Sequence, residues 1–297
     1  MASILIIGSS GMLGSAVTKY LSKSTNKIIE SNTSGRSIVL TNTCIKFDIE
    51  KQKISDLFPF GIGEPDFVIN CSGLIKHKID ETRPELIERA YKINSYFPNE
   101  LSKFCNSLDT KIIQIATDCV FTGSTGGYAE NSNHDAKDVY GDSKSKGEIE
   151  AKNMMVLRCS VIGREYSSHV ELMDWILNHP VGSKISGFTN HYWNGLTTLH
   201  FARIVAGIIE SEIFESGTYH VLPVDSVSKF ELIELICEGF GRQDIEIKAT
   251  EAGSFVDRRL STKYPEKNIE FWQYAGYDKP LSIREMIAEY SNWIRAE

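Results

Sequence analysis

A tyrosine and a lysine four residues apart, Tyr140 and Lys144, are the residues of this chain best suited to chemistry. They lie in residues 135–150, DAKDVYGDSKSKGEIE, where Lys144, Lys146, Glu148, Ile149 and Glu150 suit a helix. On a helix that spacing puts both side chains on one face. An ammonium beside a phenol stabilises the phenolate. Such a tyrosine exchanges protons near neutral pH, which a free phenol with a pKa of about 10 does poorly. A bare Y-x-x-x-K is common as surface decoration, so its weight rests on what stands upstream.

The elements that must position this pair begin at the N-terminus. An Ile-rich apolar run at residues 3–7 ends in Gly8-Ser9-Ser10-Gly11-Met12-Leu13-Gly14, and a helical pattern follows. Strand, glycine turn and helix in that order leave free N–H groups where a pyrophosphate can approach. The spacing is G-x-x-G-x-x-G rather than G-x-G-x-x-G, and glycines also mark plain turns. Its place after the first strand of an alternating β/α chain favours a dinucleotide site at Gly8, Ser10, Gly11, Met12 and Leu13.

A second strand at 27–31 runs into Glu30, Ser31, Asn32, Thr33, Ser34, Gly35 and Arg36. Glu30 there suits the ribose hydroxyls of NAD, or points to solvent by alternation. Asn32, Thr33, Ser34 and Arg36 suit the extra phosphate of NADP, so NADP(H) is favoured over NAD(H). A third strand at 44–48 ends in Asp48, which with Ile49 can meet the adenine edge or cap a helix at 49–57. A fourth at 66–71 ends in Cys71, Ser72 and Gly73, small enough to admit a ribose-nicotinamide unit.

Residues 84–106 read as a long helix interrupted by Pro98, and Asn94 within it is an amide among apolar neighbours that must find partners. The strand at 111–116 closes on Thr117, Asp118, Cys119 and Val120. Thr117 thus stands at a carboxyl strand end, where open parallel sheets bind ligands. Asp118 reads as a backbone cap, with a metal-bridged phosphate as the alternative. A further strand spans 154–158. Beyond it the pattern is less regularly β/α: helices at 171–178, 200–211, 228–240 and 282–294, a strand at 217–222, and a Gly- and aromatic-rich stretch at 182–193. The expected fold class is α/β, a doubly wound parallel sheet (Rossmann) over residues 1–162. A smaller C-terminal substrate-binding domain takes 163–297, with some segments returning to the first sheet.

Composition bounds the function. The 297 residues are 41% hydrophobic and 24% charged, enough for a large core. The net charge of −7 disfavours nucleic acid and anionic membranes as partners. No apolar stretch approaches the ~20 residues of a membrane span, and no basic region precedes the first run, so a cytoplasmic chain is expected. The six cysteines are scattered, several in strand-like runs, and no C-x-x-C occurs, which favours buried reduced thiols over a metal or redox motif. No metal site is expected, and a homodimer is the default oligomer.

Taken together, IIGSSGMLGS, VINCSG, YKINSYFP, ATDCVFTG, GYAE, VYGDSKSKGE, LRCSVIG and GFTNHYWNGLTT resemble the extended short-chain dehydrogenase/reductase superfamily, and within it the dTDP-4-dehydrorhamnose reductase type. The resemblance runs over nearly the whole chain. It implies Thr117, Tyr140 and Lys144 as catalytic residues, Asn94 as support for their helix and a relay water, and Gly8, Gly11 and Gly14 as cofactor glycines. It further implies hydride transfer to the ketone of a nucleotide-diphospho-4-keto-6-deoxyhexose, made for a surface polysaccharide. Tyr140 would give the proton, Lys144 would lower its pKa and hold the nicotinamide ribose, and Thr117 would donate to the carbonyl oxygen. Cys119 and Val120 fall near the sugar, where the family often has a tyrosine after T-D. Trp193 is a candidate to stack on the base, although a tryptophan is more often a core residue, and Arg258 or Arg259 to pair with the diphosphate, with Arg258 preferred. An epimerase or dehydratase with bound NAD shares the Tyr/Lys pair; Cys119 after Asp118, in place of an acid, argues against the dehydratase. A non-catalytic NADP-binding regulatory subunit is a third reading, which an intact Thr/Tyr/Lys set disfavours.

Overall fold

The run Ile4-Leu5-Ile6-Ile7 is buried at every side chain, as only a central strand covered on both faces can be. In the computed structural model, which describes residues 1–165 and 169–297, it is the core of β1 (Ser3–Ile7). The chain continues through α1 (Met12–Leu21), β2 (Lys27–Asn32), β3 (Thr43–Lys46) and β4 (Phe67–Asn70). Then come α2 (Pro84–Tyr91), α3 (Phe97–Asn106), β5 (Lys111–Ala116), α4 (Val139–Ser145) and β6 (Met154–Arg158). The rest holds β7 (Val161–Ile162), α5 (Leu172–Leu177), β8 (Lys184–Phe188), β9 (His191–Trp193), β10 (Leu196–Thr197), α6 (Thr198–Glu210) and β11 (Gly217–His220). It closes with β12 (Val227–Ser228), α7 (Lys229–Phe240), β13 (Glu246–Thr250), β14 (Val256–Asp257), α8 (Pro265–Tyr274) and α9 (Ile283–Arg295).

Seven strands form one parallel sheet in the order β11-β6-β5-β4-β1-β2-β3. The order reverses between β1 and β4, and there a crevice opens outside the carboxyl ends of the strands. Alternation along the strands feeds two cores. Ile4, Ile6, Ile69, Ile113 and Met155 join the α1 and α6 side, while Leu5, Ile7, Val68, Ile112 and Val156 join the α3 side. β11 returns from the C-terminal half to the edge beside β6. Smaller sheets join β10 to β7, β12 and β14 to β9, and β13 to β8. Among the described residues no helix is long and apolar enough to cross a membrane.

Two local expectations are corrected. The helix at 49–57 is absent: turns lead to a 3-10 helix at Ile54–Leu57, and Phe58 before Pro59 is barred from helical backbone. The helix at 84–106 is interrupted ahead of Pro98, where Lys92–Tyr96 widens into a π-turn. Pro98 itself sits in the first turn of α3, where its missing N–H costs little.

Behind α4 lies a buried polar network. Arg158 of β6 pairs with Glu148 and donates to Nε2 of His134 at 2.9 Å and Nε2 of His220 at 2.6 Å. A guanidinium only donates, so both imidazoles accept there and carry their proton on Nδ1. Those protons go to the Ser145 Oγ at the end of α4 and the Ser261 carbonyl, each at 2.6 Å. Burial and the Arg158 charge push the His220 pKa down to about 4, and burial lowers His134 as well. A histidine depressed in the folded state gives stability that is complete above its unfolded pKa of about 6.5 and is lost as pH falls through the folded value. The melting temperature is therefore expected to drop between pH 6.5 and 4, and His220→Gln should flatten that slope in a thermal scan. Identical slopes for the two proteins would take the network out of the acid response.

Candidate active site

One cavity of about 590 Å³ runs from the start of α1, past the end of β4, to Thr117 and α4. It brings together Gly11, Met12, Leu13, Cys71, Ser72, Gly73, Thr117, Cys119, Tyr140 and Lys144, residues far apart in sequence. Gly11 caps α1 in an extended conformation with no side-chain bond to the helix, and the first turn has no acid. The first N–H groups of α1 and the positive end of its dipole are thus left for an anion. A smaller cavity of about 150 Å³ takes in Gly8, Ser10, Thr33, Asp48 and Ile49, together with Arg89, which sequence reasoning missed. The hydroxyl of Ser31 is buried on its wall with no partner among the described residues.

α4 is seated by its neighbours. Asp138 caps it, accepting from the Gly141 N–H at 2.8 Å. Gly141 lies so close to the preceding turn that a Cβ would stand 2.4 Å from the Cys119 carbonyl oxygen. Asn94, in the π-turn, receives the Leu74 N–H at 2.8 Å and donates to the Leu74 carbonyl and the Ser143 hydroxyl, both at 3.0 Å. The end of β4 and α4 are thereby joined through one buried amide. Lys144 is buried and gives its ammonium to the Ile115 carbonyl at 3.0 Å. A Cβ on Gly73 would stand 3.8 Å from that nitrogen and 3.5 Å from Asn94 Oδ1. Thr117 accepts from the Cys119 N–H and donates to Asp118 Oδ1, each at 3.2 Å, and it lines the cavity together with Tyr140.

Electrostatics correct the first expectation for Tyr140. Burial, with Cys119, Asp118 and Glu171 nearby, pushes its pKa above the usual phenol range, against the pull of Thr117. Lys144 does not lower it here, because its ammonium is turned to the Ile115 carbonyl and is itself pushed down by burial. Burial raises the Cys71 and Cys119 thiols to about 12, so they face the cavity as neutral groups.

Several expected ligand groups have other tasks. Asn32 is spent on its own loop: Oδ1 takes Ser34 N, Ser34 Oγ and Gly35 N, and Nδ2 gives to Ser9 Oγ and the Arg36 carbonyl. Glu30 is neither a ribose ligand nor solvent-facing; it is buried and accepts from Ile38 N, Val39 N and Asn42 Nδ2. Thr33, Ser34 and Arg36 stay exposed at the end of β2. Trp193 is a core residue, 3% exposed, with its Nε1 held by Ser160 Oγ at 2.8 Å, so it has no face for a base. Val120 is fully buried among Phe121, Tyr128, Leu222 and Leu260 and cannot reach a substrate with its side chain. Asp118 is not the cap of its turn; Thr117 is, and Asp118 faces the charges of Arg258 and Lys229. Arg259 is locked on Asp257 by bonds of 2.9 and 2.6 Å, whereas Arg258 gives Nε to the Phe121 carbonyl and lines an outer cavity beside the cap of α4. Lys76, His77 and Lys78 also line the main cavity, with Glu165 and Glu171. His77 and Glu171 pair at 3.4 Å. Nothing in the local sequence marked this encounter, because its halves meet only in the fold. Among the described residues no cluster of three His, Cys, Asp or Glu side chains is placed to hold a metal.

The sequence profile of the RmlD substrate binding domain family matches residues 1–294. The spore coat polysaccharide biosynthesis protein SpsK of Bacillus subtilis is 29% identical over 98% of this chain and 97% of its own. The protein named "Probable low-salt glycan biosynthesis reductase Agl14" of Haloferax volcanii is 25% identical over 80% of this chain and 79% of its own. A dTDP-4-dehydrorhamnose reductase of Bacillus anthracis, solved in complex with NADP, shares the fold with a TM-score of 0.76 at 20% identity, over 99% of both chains.

The seat of α4 sets a test that needs no activity. Gly141→Ala must push the helix off the Cys119 carbonyl and is expected to cost about 1–3 kcal/mol, as overpacking does. Urea unfolding reads this as a lower midpoint; an unchanged midpoint would mean that the contact yields freely.

Proposed function

The chain belongs to the RmlD substrate binding domain family, and from that premise we propose that it is an NADPH-dependent reductase of a nucleotide-diphospho-4-keto-6-deoxyhexose, serving polysaccharide or glycan synthesis. The observation that carries this reading is the single cavity where the open start of α1, the small residues after β4, and Thr117, Tyr140 and Lys144 meet. The names of the relatives, a glycan biosynthesis reductase and a polysaccharide biosynthesis protein, point the same way.

The residues fit a dinucleotide. The uncapped N–H groups of α1 suit its pyrophosphate, and the partnerless Ser31 hydroxyl suits a polar group of the adenosine half. Asp48, Ile49 and Arg89 would wall the adenine, and Cys71, Ser72 and Gly73 the nicotinamide side. Thr33, Ser34 and Arg36 at the end of β2 would take the phosphate that distinguishes NADP, with Asn32 shaping their loop. When bound, NADPH supplies a hydride to the substrate's ketone carbon.

The chain's own residues handle the proton. A tyrosine whose burial keeps it neutral is the right form for a donor, since it holds its proton until an alkoxide develops beside it. Lys144, at the β4 end of the same cavity, would swing its ammonium from the Ile115 carbonyl to stabilise the phenolate left behind. Thr117 would orient the ketone oxygen against Tyr140. Asn94 keeps α4 fixed while this happens. On the substrate side, Cys119 would face the sugar and Arg258 the diphosphate. Residues 1–162 would thus hold the cofactor and 163–297 complete the substrate side.

Two outcomes follow. Tyr140→Phe should bind NADPH normally but lose turnover by about 10²-fold or more in a panel of keto-sugar nucleotides, as loss of a general acid does. Unchanged turnover would remove Tyr140 from the reaction. Arg36→Ala should raise KM for NADPH about tenfold, the worth of one charged hydrogen bond, and leave KM for NADH alone. Equal effects on both cofactors would contradict the phosphate-binding role.

A further inference from the structure

α4 is 7 residues long, and its sequence, VYGDSKS, holds one strong helix former, Lys144. A helix of two turns does not hold itself together, so its place depends on what closes its ends. Tyr140 stands second in it, where backbone N–H groups have no partner inside the helix. The N–H on each side of the tyrosine is taken from outside that ladder. Gly141 N gives to Asp138 Oδ1 at 2.8 Å. Val139 N gives to Oε1 of Glu81, also at 2.8 Å. Glu81 comes from the stretch that follows β4, far upstream in the chain.

Glu81 does not reach this point from a loose loop. Asp80 Oδ1 accepts from Thr82 N at 3.0 Å and from Thr82 Oγ1 at 2.7 Å, and Arg83 N gives to the Asp80 carbonyl at 3.1 Å, so the chain turns tightly about Glu81. On the same stretch Lys76 gives its ammonium to Asp138 Oδ2 at 2.8 Å. Burial pushes the Asp138 carboxyl up, and the Gly141 N–H and the Lys76 ammonium outweigh it, so it stays below its usual range. The stretch begins at Leu74, both of whose backbone groups are held by Asn94. Asn94 fixes the middle of α4 through Ser143, and Glu81 and Lys76 fix its start.

The Tyr140 side chain leaves the backbone between these two held N–H groups. Proton transfer needs its hydroxyl within hydrogen-bond reach of the ketone oxygen, and a misplacement of about 1 Å can cost about 10²-fold in rate. We infer that Glu81 is a positioning residue: its carboxylate fixes the Val139 N–H and so aims the hydroxyl of Tyr140 in the cavity. The inference rests on the reductase reading above. Glu81 also lines the outer cavity with Arg258. A role confined to that wall would act on substrate binding through charge, whereas the positioning role acts on rate through an oxygen acceptor.

The test uses the full chain with NADPH and whichever keto-sugar nucleotide of the panel it reduces. Glu81→Ala should lower kcat about tenfold and leave KM for NADPH within about twofold. Glu81→Gln, neutral but with an oxygen at the same reach, should keep kcat within about twofold of the parent protein. Glu81→Asp, charged but one methylene short, should lose rate as the alanine variant does. In a Tyr140→Phe background, Glu81→Ala should cause no further loss. Amide hydrogen exchange at Val139 reads the seat without turnover; it should quicken about tenfold in Glu81→Ala and stay near the parent's in Glu81→Gln. An unchanged kcat in Glu81→Ala with only KM for the sugar nucleotide moved, a Gln variant no better than Ala, losses that multiply in the double variant, or unaltered exchange at Val139 would each overturn the inference. If Glu81→Ala fails to bind NADPH, Glu81→Asp decides, and a rate equal to the parent's refutes the role. Turnover of no ketone in the panel, or full activity in Tyr140→Phe, sinks the reductase reading itself; an impaired Tyr140→Phe beside a wild-type-like Glu81→Ala sinks only this inference.

Discussion

One buried amide holds the candidate site in shape. Asn94 satisfies both polar groups of Leu74 and the hydroxyl of Ser143, so it ties the end of β4 to the helix that carries Tyr140 and Lys144. Each of those groups, if left unpaired in the interior, would cost about 1–3 kcal/mol. The π-turn around Asn94 is the backbone distortion that aims the side chain inward, and Pro98 one turn later prevents a regular helix from closing over it. Strand order, glycine turn and α4 would each survive without this link, but they would not be held in register with one another.

The second constraint is the low polarity of the crevice. Tyr140, Lys144, Cys71 and Cys119 are all displaced toward their neutral forms by burial. For the proposed chemistry that bias is useful. A proton donor should be neutral before hydride transfer, and neutral thiols neither attack nor bind metals readily. Burial pushes the Asp118 carboxyl the same way, against the pull of Arg258 and Lys229. The Arg158 network behind α4 follows the same rule, with two neutral imidazoles accepting from one guanidinium.

Much of this was legible in the sequence because it is local. Short runs of mostly apolar residues marked β1, β5 and β6 at their true limits. Gly8, Gly11 and Gly14 marked the turn, and the spacing of Tyr140 and Lys144 marked the helix face. What stayed hidden is set by partners distant in the chain. Trp193 could be read either as core or as a stacking surface, because a Gly-rich stretch gives no periodicity to decide, and the fold makes it core. Asn32 looked like a phosphate ligand because its commitment to Ser9, Ser34 and Gly35 exists only once the loop is folded. The β8–β13 pair escaped notice because Gly187 interrupts the strand signal. Glu81 and His77 carry no motif at all.

In the proposed reaction a hydride from NADPH and the proton of Tyr140 reach a ketone in this cavity. The most direct measurement is a turnover with NADPH carrying deuterium at the transferable position of the nicotinamide, with dTDP-4-dehydrorhamnose as the probe ketone. NMR should find the label on the former carbonyl carbon, one deuterium for each NADPH consumed. A product without the label, formed while NADPH remains intact, would rule out hydride transfer to the ketone.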